Sequence, residues 1–138
     1  MAKIFIDTNI LAYAFDNNNA KKRDKCRILL KNLEEGGQFV VSTQILQEFY
    51  VVATQELGAQ PLTAKQTIKT LENFEIVVVD PSLIGDAIDC HLLNRISFWD
   101  ALVIVSAEKA KCEKVWTEDL NNGQTINGVF IENPMTLK

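Results

Sequence analysis

The sequence predicts an α/β protein built around a mainly parallel sheet, because short apolar runs alternate along the chain with longer segments of helical spacing. Five runs rich in β-branched and aromatic residues are typical of buried strands: residues 3–6, 38–41, 76–79, 114–116 and 129–131. The 138-residue chain shows neither an internal repeat nor a linker. We therefore expect a single domain over residues 1–138.

Six segments between the strands carry apolar residues at helical spacing, and turn residues separate them from the strands. They are residues 10–15, 20–33, 43–57, 63–74, 82–94 and 98–110. Gly36-Gly37 is expected to end the second helix, and Asn121-Asn122-Gly123 to form a loop. Because parallel strands place their carboxyl ends at one edge of a sheet, side chains that follow strands are expected to line a crevice there.

The composition excludes several classes of protein. With 47% apolar and 23% charged residues, 6 glycines and 3 prolines, the chain is neither disordered nor collagen-like. The net charge of −4 counts against a DNA-binding module held by charge alone, but not against an enzyme whose acids surround divalent cations. The three cysteines form no CxxC pair, and no apolar run resembles a signal peptide or membrane span. We expect a reducing, cytoplasmic location and no membrane contact.

Four acidic residues occupy positions where side chains could meet in such a crevice. Asp7 directly follows the first predicted strand, and Asp119 follows the fourth by a short loop. Glu48 and Asp100 fall in the early turns of the third and sixth predicted helices. Asp100 is the most unusual of the four, because the helix around it is apolar almost all round and a buried carboxylate there needs a partner.

Each acid also has an ordinary structural interpretation when it is considered alone. Asp7 could be a helix N-cap, and Glu48 lies at the edge of an apolar helix face. Asp100 could complete a capping box with Ser97, and Asp119 could be a polar loop residue. The conjunction of the four, more than any one of them, predicts a shared site.

The chemistry that suits four clustered carboxylates is cation-dependent. Carboxylates repel one another unless cations lie between them, and an all-oxygen ligand set suits Mg²⁺ or Mn²⁺ better than Zn²⁺. The one histidine, His91, lies among apolar helix residues and is interpreted as structural. The lack of a Cys/His cluster argues against a structural zinc site, a Ser-His-Asp triad and a Cys-His dyad.

The reaction predicted from these residues is attack of cation-activated water on a phosphodiester. Asp7 and Asp100 would be the principal ligands, and Asp119 would complete or bridge a second ion. Glu48 would bind metal or orient the water.

Four segments, in order along the chain, resemble the PIN-domain family and, within it, the VapC-like toxins of type II toxin–antitoxin systems. They are IFIDTNIL at residues 4–11, STQILQE at 42–48, SFWDALVI at 97–104, and TEDLNNGQ at 117–124 together with IENP at 131–134. Successive acids are 41, 52 and 19 residues apart. Each motif is short, but four in order make a specific pattern that spans essentially the whole chain.

The resemblance implies a three-layer α/β/α fold and a Mg²⁺- or Mn²⁺-dependent endoribonuclease. The family's acidic quartet falls on Asp7, Glu48, Asp100 and Asp119. Asn9 and Thr117 match polar residues that accompany the quartet and are expected to hold ligands or water. Glu118 stands beside Asp119, and we prefer Asp119 because it aligns with the family motif. A cognate antitoxin protein and a homodimer are also implied.

Several alternatives stay open at this point. A PIN nuclease acting alone in RNA processing needs no antitoxin, and a noncatalytic acidic interaction module would also fit the composition. A receiver or phosphatase is disfavoured because Asp7 is followed by Thr8-Asn9 instead of forming an Asp-x-Asp arrangement. The predicted second helix carries six basic residues that could follow an RNA backbone or form a solvated face: Lys21, Lys22, Arg23, Lys25, Arg27 and Lys31.

Overall fold

The structure is a computed structural model that describes residues 2–137. Its strands are β1 (Lys3–Ile6), β2 (Gln38–Ser42), β3 (Glu75–Val77), β4 (Lys114–Trp116), β5 (Thr125–Ile126) and β6 (Val129–Glu132). Its α-helices are α1 (Thr8–Tyr13), α2 (Ala20–Gly36), α3 (Thr43–Val51), α4 (Pro61–Leu71), α5 (Pro81–Asn94) and α6 (Phe98–Lys109). A π-helical turn, Val52–Glu56, continues α3, and a 3₁₀ turn spans Pro134–Thr136.

All six strands form one sheet in the order β3-β2-β1-β4-β6-β5. Every pairing is parallel except that of β5 with β6. The central strand β1 lies between β2 and β4, and Phe5 and Ile6 are completely buried. Because helices cover the sheet, its strands are continuous apolar runs, as parallel sheets require. The predicted α/β fold with a central, mainly parallel sheet is confirmed.

The sixth helix is the most buried of the helices, as predicted, but not at its beginning. Residues 101–107 are all buried. Trp99, in the first turn, is 62% exposed, so the expectation that the helix is buried all round fails there. The first turn of α6 therefore lies at the protein surface.

Some element boundaries differ from those predicted. The third strand covers residues 75–77 instead of 76–79, because Val78 is exposed and the Val79 amide bonds the Thr43 hydroxyl at 3.1 Å. The third predicted helix is continuous only through its π-helical turn, where the Leu57 amide donates to the Val52 carbonyl at 3.1 Å. Gly37 caps the end of α2, as expected.

Strand β5 was not predicted. It forms a hairpin with β6, whose loop is Asn127-Gly128. Both loop residues have positive φ, 51° and 79°, which is the geometry of a type I′ turn and the reason for the Asn-Gly pair.

Among residues 2–137, none of the helices has the length and apolar character that a membrane span needs.

Candidate active site

Asp7 lies at the carboxyl end of β1, where the chain turns directly into α1. Its side chain caps that helix, with Oδ1 accepting from the Thr8 amide at 2.7 Å. Its backbone amide donates to the Trp116 carbonyl at 3.0 Å, which extends the β1–β4 pairing by one residue. Asp7 is only 6% exposed, and this burial raises the pKa of its carboxyl to about 6.

Thr117 connects Asp7 to the loop that carries Asp119. Its hydroxyl donates to Asp7 Oδ2 at 2.7 Å and accepts from the Asp119 amide at 3.0 Å. The register of β1 beside β4 places Thr117 next to Asp7. The buried threonine thus uses both its hydrogen and its oxygen to fix two of the predicted acids relative to each other.

Glu48 approaches the same place from α3. Ser42 caps this helix by accepting from the Ile45 amide at 3.3 Å, which sets the helix to start directly at the end of β2. The Thr8 hydroxyl then donates to Glu48 Oε1 at 3.1 Å, across 40 residues of sequence. Burial raises the pKa of Glu48, and the nearby charges of Asp119 and Asp100 raise it further.

Asp100 enters from the first turn of α6. Ser97 caps the helix by accepting from the Asp100 backbone amide at 3.0 Å, which is one half of the predicted capping box. Burial raises the pKa of the Asp100 carboxyl, and the charge of Asp119 adds to the effect. The capping interaction and a role in the site are therefore compatible.

The structure brings all four predicted acids into one electrostatic cluster. Asp119 raises the pKa values of Asp7, Glu48 and Asp100, and Glu48 also acts on Asp7. Each of these shifts comes mainly from burial, with like charge as an additional cause. Hydrogen bonds from their neighbours favour the ionised forms of Asp7, Glu48 and Asp100, but burial and like charge outweigh them, which is the condition that a bound cation relieves.

The arrangement fits a hydrated hard cation better than a fully protein-ligated one. Within residues 2–137, no three His, Cys, Asp or Glu side chains are positioned to hold one ion together. Mg²⁺ commonly keeps several waters and is held by one or two carboxylates, so such sites do not need a three-ligand cage. Carboxylate oxygens supply the required donor type, and the described acids therefore fit Mg²⁺ or Mn²⁺.

Glu118 and Asp119 have different surroundings. Tyr13 donates a 2.5 Å hydrogen bond to Glu118 Oε1, and Lys22 Nζ lies 3.7 Å from Glu118 Oε2. The electrostatic effect on Asp7, Glu48 and Asp100 comes from Asp119 instead. This geometry supports the preference for Asp119.

Two polar residues of the site were not singled out from the sequence. Thr8 joins Asp7 to Glu48, and its position within Asp7-Thr8-Asn9 was the available indication. Gln44 is 5% exposed, and its Nε2 donates to the Trp99 carbonyl at 3.3 Å. Its Oε1 has no hydrogen-bond partner among the described residues.

Asn9 is half-buried in the first turn of α1 and is not among the described side chains that hydrogen-bond these acids.

The basic face of α2 is partly used inside the fold. Lys25 Nζ donates to the Met135 carbonyl at 2.8 Å and to the Leu137 carbonyl, while Arg27 Nε donates to the Ala14 carbonyl at 2.6 Å. These contacts tie α2 to the C-terminal turn and to the end of α1.

His91 Nδ1 bonds the Ile96 carbonyl and so closes the α5–α6 connection, consistent with its structural interpretation.

The fold is also that of several solved structures. VapC20 of Mycobacterium tuberculosis, described as a sarcin-ricin loop cleaving toxin, is 19% identical with a TM-score of 0.65, covering 85% of this chain and 90% of that one. A toxin–antitoxin complex from Klebsiella pneumoniae gives 21% identity and a TM-score of 0.69 over 96% and 98% of the two chains. VapBC2 from Rickettsia felis, bound to a DNA fragment from its promoter, gives 16% identity and a TM-score of 0.68, covering 94% of this chain and 96% of that one.

The sequence comparison agrees with this structural similarity. None of the curated proteins matches the chain significantly. The model of the PIN domain family, however, matches residues 4–122, which include all four acids and both accompanying polar residues. The chain belongs to the PIN domain family.

Proposed function

We propose that this protein is a divalent-cation-dependent endoribonuclease that hydrolyses RNA phosphodiester bonds, and that it is the toxin of a type II toxin–antitoxin pair. The membership in the PIN domain family and the fold shared with VapC20, described as a sarcin-ricin loop cleaving toxin, support this proposal. We also propose that residues 1–138 form a single PIN domain.

The observation that carries the proposal is the convergence of the four acids: Thr117 bonds both the Asp7 carboxylate and the Asp119 amide, Thr8 bonds both Asp7 and Glu48, and the charge of Asp119 helps to raise the pKa values of Asp7, Glu48 and Asp100. A purely structural set of acids would be expected to pair with lysine or arginine. Glu118 does so with Lys22, whereas the pKa values of Asp7, Glu48 and Asp100 are all raised. Uncompensated, partly buried carboxylates are typical of sites that bind or transform a ligand.

In this proposal the chain's residues divide the work by position. Asp7 and Asp100 would be the principal ligands for Mg²⁺ or Mn²⁺, Asp119 would complete or bridge a second ion, and Glu48 would bind metal or orient water. A bound cation would supply Lewis acidity and a water of lowered pKa. Thr117 holds Asp7 and the Asp119 backbone in register, and Asn9 is placed as a further polar support.

The test is cleavage of total cellular RNA by the purified protein with Mg²⁺, with Mn²⁺ and with excess EDTA. Cleavage is expected with the metals and not with EDTA. Asp100→Asn should reduce it by at least 100-fold, roughly the loss of a few kcal/mol of transition-state stabilisation. Asp86→Asn, an exposed aspartate on α5, is the matched control and should cleave normally. Equal cleavage by both variants would refute the site assignment.

A partner protein is the second part of the proposal. The similar structures from Klebsiella, Rickettsia and Salmonella are toxin–antitoxin or VapBC complexes, which supports an antitoxin partner here. Cleavage should be suppressed in a complex isolated from the native source and restored when the second protein is removed by denaturation and the nuclease is refolded. A nuclease whose activity no copurifying protein affects would favour the alternative of a PIN enzyme acting alone.

We also propose a homodimer. Three apolar side chains form a stripe on the outer face of α5: Ile84, Ile88 and Leu92 are 39%, 44% and 68% exposed. Their spacing of four residues puts them on one helix face, and such a stripe is typical of an association surface. Ile88→Glu should produce a monomer in sedimentation equilibrium, whereas Leu62→Glu on α4 should not. A wild-type monomer would contradict this part.

A noncatalytic interaction module is the remaining alternative. It accounts for the acidic composition, but it gives no reason for four mutually repelling carboxylates in one place. Absence of cleavage with any metal, after an antitoxin has been removed, would favour it.

A further inference from the structure

Trp99 is exposed although the middle of its helix is buried. The indole is 62% exposed, while residues 101–107 of α6 are all buried and the other tryptophan, Trp116, is 5% exposed. A large aromatic side chain usually buries most of its surface, so one left in solvent beside an active site indicates a contact surface. Trp99 immediately precedes Asp100, one of the four acids.

The position of Trp99 is fixed by its neighbours. Its ring meets that of Phe98 edge-on, with centroids 5.1 Å apart and planes at 76°. Its backbone carbonyl accepts from Gln44 Nε2 at 3.3 Å, and Gln44 is itself buried on α3. The backbone of Trp99 is therefore held from α3, and its ring packs on that of Phe98, which lowers the entropy cost of using the indole to bind a ligand.

A cavity of about 430 Å³ lies between Trp99 and α3. Its wall consists of Gln44, Gln47, Glu48, Val51, Val52 and Trp99. The two valines and the indole offer apolar surface, whereas the exposed Gln47 amide offers hydrogen-bonding groups. Glu48 belongs both to this wall and to the acidic cluster, so the cavity is continuous with the candidate active site.

The mixture of apolar and polar surface in this cavity indicates what kind of ligand it fits. A planar heterocycle needs an aromatic face to stack on and polar groups for its edge, which the indole and the exposed Gln47 amide provide. A phosphodiester attached to that heterocycle would lie toward Glu48, where a bound cation would neutralise it. An entirely apolar partner would leave Gln47 and Glu48 without polar contacts.

We infer that Trp99 is a stacking platform for one unpaired nucleobase of the RNA, next to the phosphodiester that is cleaved. This inference rests on the proposed nuclease function and adds a specificity-determining residue to it. A base in a duplex cannot leave its own stack without a cost, so the platform selects single-stranded positions. Because every base has a π-face, the platform contributes affinity with little preference among the four bases.

The experiment separates binding from cleavage. A single-stranded RNA decamer is titrated at low salt into the protein with Ca²⁺, a hard cation that takes oxygen ligands, and tryptophan emission and the anisotropy of an end-labelled probe are both recorded while a gel confirms that the decamer stays intact. Trp99 is accessible and Trp116 is buried, so quenching reports Trp99. An abasic decamer with the same phosphates is the control probe. Quenching is expected with the RNA and not with the abasic chain.

Three variants test the residue itself. Trp99→Phe should lose the quenching but keep its affinity within about threefold, because a phenyl ring still stacks. Trp99→Leu should bind about tenfold more weakly, a loss within the range of one stacked base. Tyr50→Leu removes an aromatic ring that is 39% exposed on α3 but does not line the cavity, and its affinity should not change.

Several outcomes would overturn the inference. Unchanged affinity in Trp99→Leu, quenching by the abasic chain, or no binding of the RNA by the unaltered protein would each refute stacking. A change of oligomeric state in Trp99→Leu would assign the ring to self-association instead. If the unaltered protein cleaves RNA while Trp99→Leu binds and cleaves normally, the platform is wrong and the nuclease function stands.

Discussion

Replacing Asp7 by asparagine should make the metal-free protein more stable at neutral pH while abolishing the proposed activity. Asp7 is 6% exposed, and burial raises the pKa of its carboxyl from 3.8 to about 6. The folded protein therefore binds this proton more tightly than the unfolded chain does. The contribution of this proton to the free energy of unfolding is fully present below pH 3.8. It is lost as the pH rises to about 6, where the folded protein also loses the proton.

The size of the effect follows from that pKa. Each tenfold change in proton affinity corresponds to about 1.4 kcal/mol, so ionised Asp7 lowers the free energy of unfolding by about 3 kcal/mol above pH 6. Asparagine carries no charge, and its oxygen can still accept from the Thr8 amide. Its amide group fits the Thr117 hydroxyl less well, at a cost of about 1 kcal/mol. We expect a net stabilisation of about 2 kcal/mol at pH 7.5.

The assay is urea denaturation in EDTA at pH 7.5 and at pH 4, followed by circular dichroism. Asp7→Asn should have the higher free energy of unfolding at pH 7.5, and this advantage should largely disappear at pH 4. Asp86→Asn, which is exposed, should match the unaltered protein at both pH values within about 0.5 kcal/mol. An Asp7→Asn protein that is less stable than the unaltered one at pH 7.5 would refute the reasoning.

Three further predictions concern the same site. Mn²⁺ should raise the melting temperature more at pH 7.5 than at pH 5, because a cation must displace the proton from Asp7; equal shifts would argue against Asp7 as a ligand. Thr117→Val should cost about 2 kcal/mol in urea denaturation, because it removes a hydrogen bond to a buried carboxylate. The same change at exposed Thr70 should cost under about 0.5 kcal/mol, and equal losses would contradict the assigned bond. In RNA cleavage, Glu118→Gln should keep activity within about threefold and Asp119→Asn should lose it; the reverse order would assign the site to Glu118.

The elements that periodicity predicts well are those whose burial is uniform. Residues 3–6 and 114–116 were predicted within their observed limits, because parallel strands covered on both faces are unbroken apolar runs. Periodicity does not predict the two-residue strand β5, because it is too short to show an apolar pattern. Asn127-Gly128 was the available indication of its hairpin, since that pair suits a type I′ turn.

The sequence predicts the positions of the four acids but not the contacts that join them. Each acid could be placed at the end of a strand or the start of a helix, and the parallel sheet explains why those positions meet. The hydroxyl of Thr8 bonding Glu48, across 40 residues, depends on how α1 packs against α3 and cannot be inferred from spacing. The exposure of Trp99 is likewise a property of where α6 begins relative to α3.

The most direct test of the central claim is to measure Mn²⁺ binding and RNA cleavage on one preparation over the same range of Mn²⁺ concentrations. Calorimetry gives the binding curve, and the rate of cleavage gives the activity curve. If the four acids form one cation-dependent nuclease site, the two curves should rise together, and both should be lost in Asp100→Asn but not in Asp86→Asn. Cleavage that persists in EDTA, or Mn²⁺ binding by Asp100→Asn equal to that of the unaltered protein, would contradict the account.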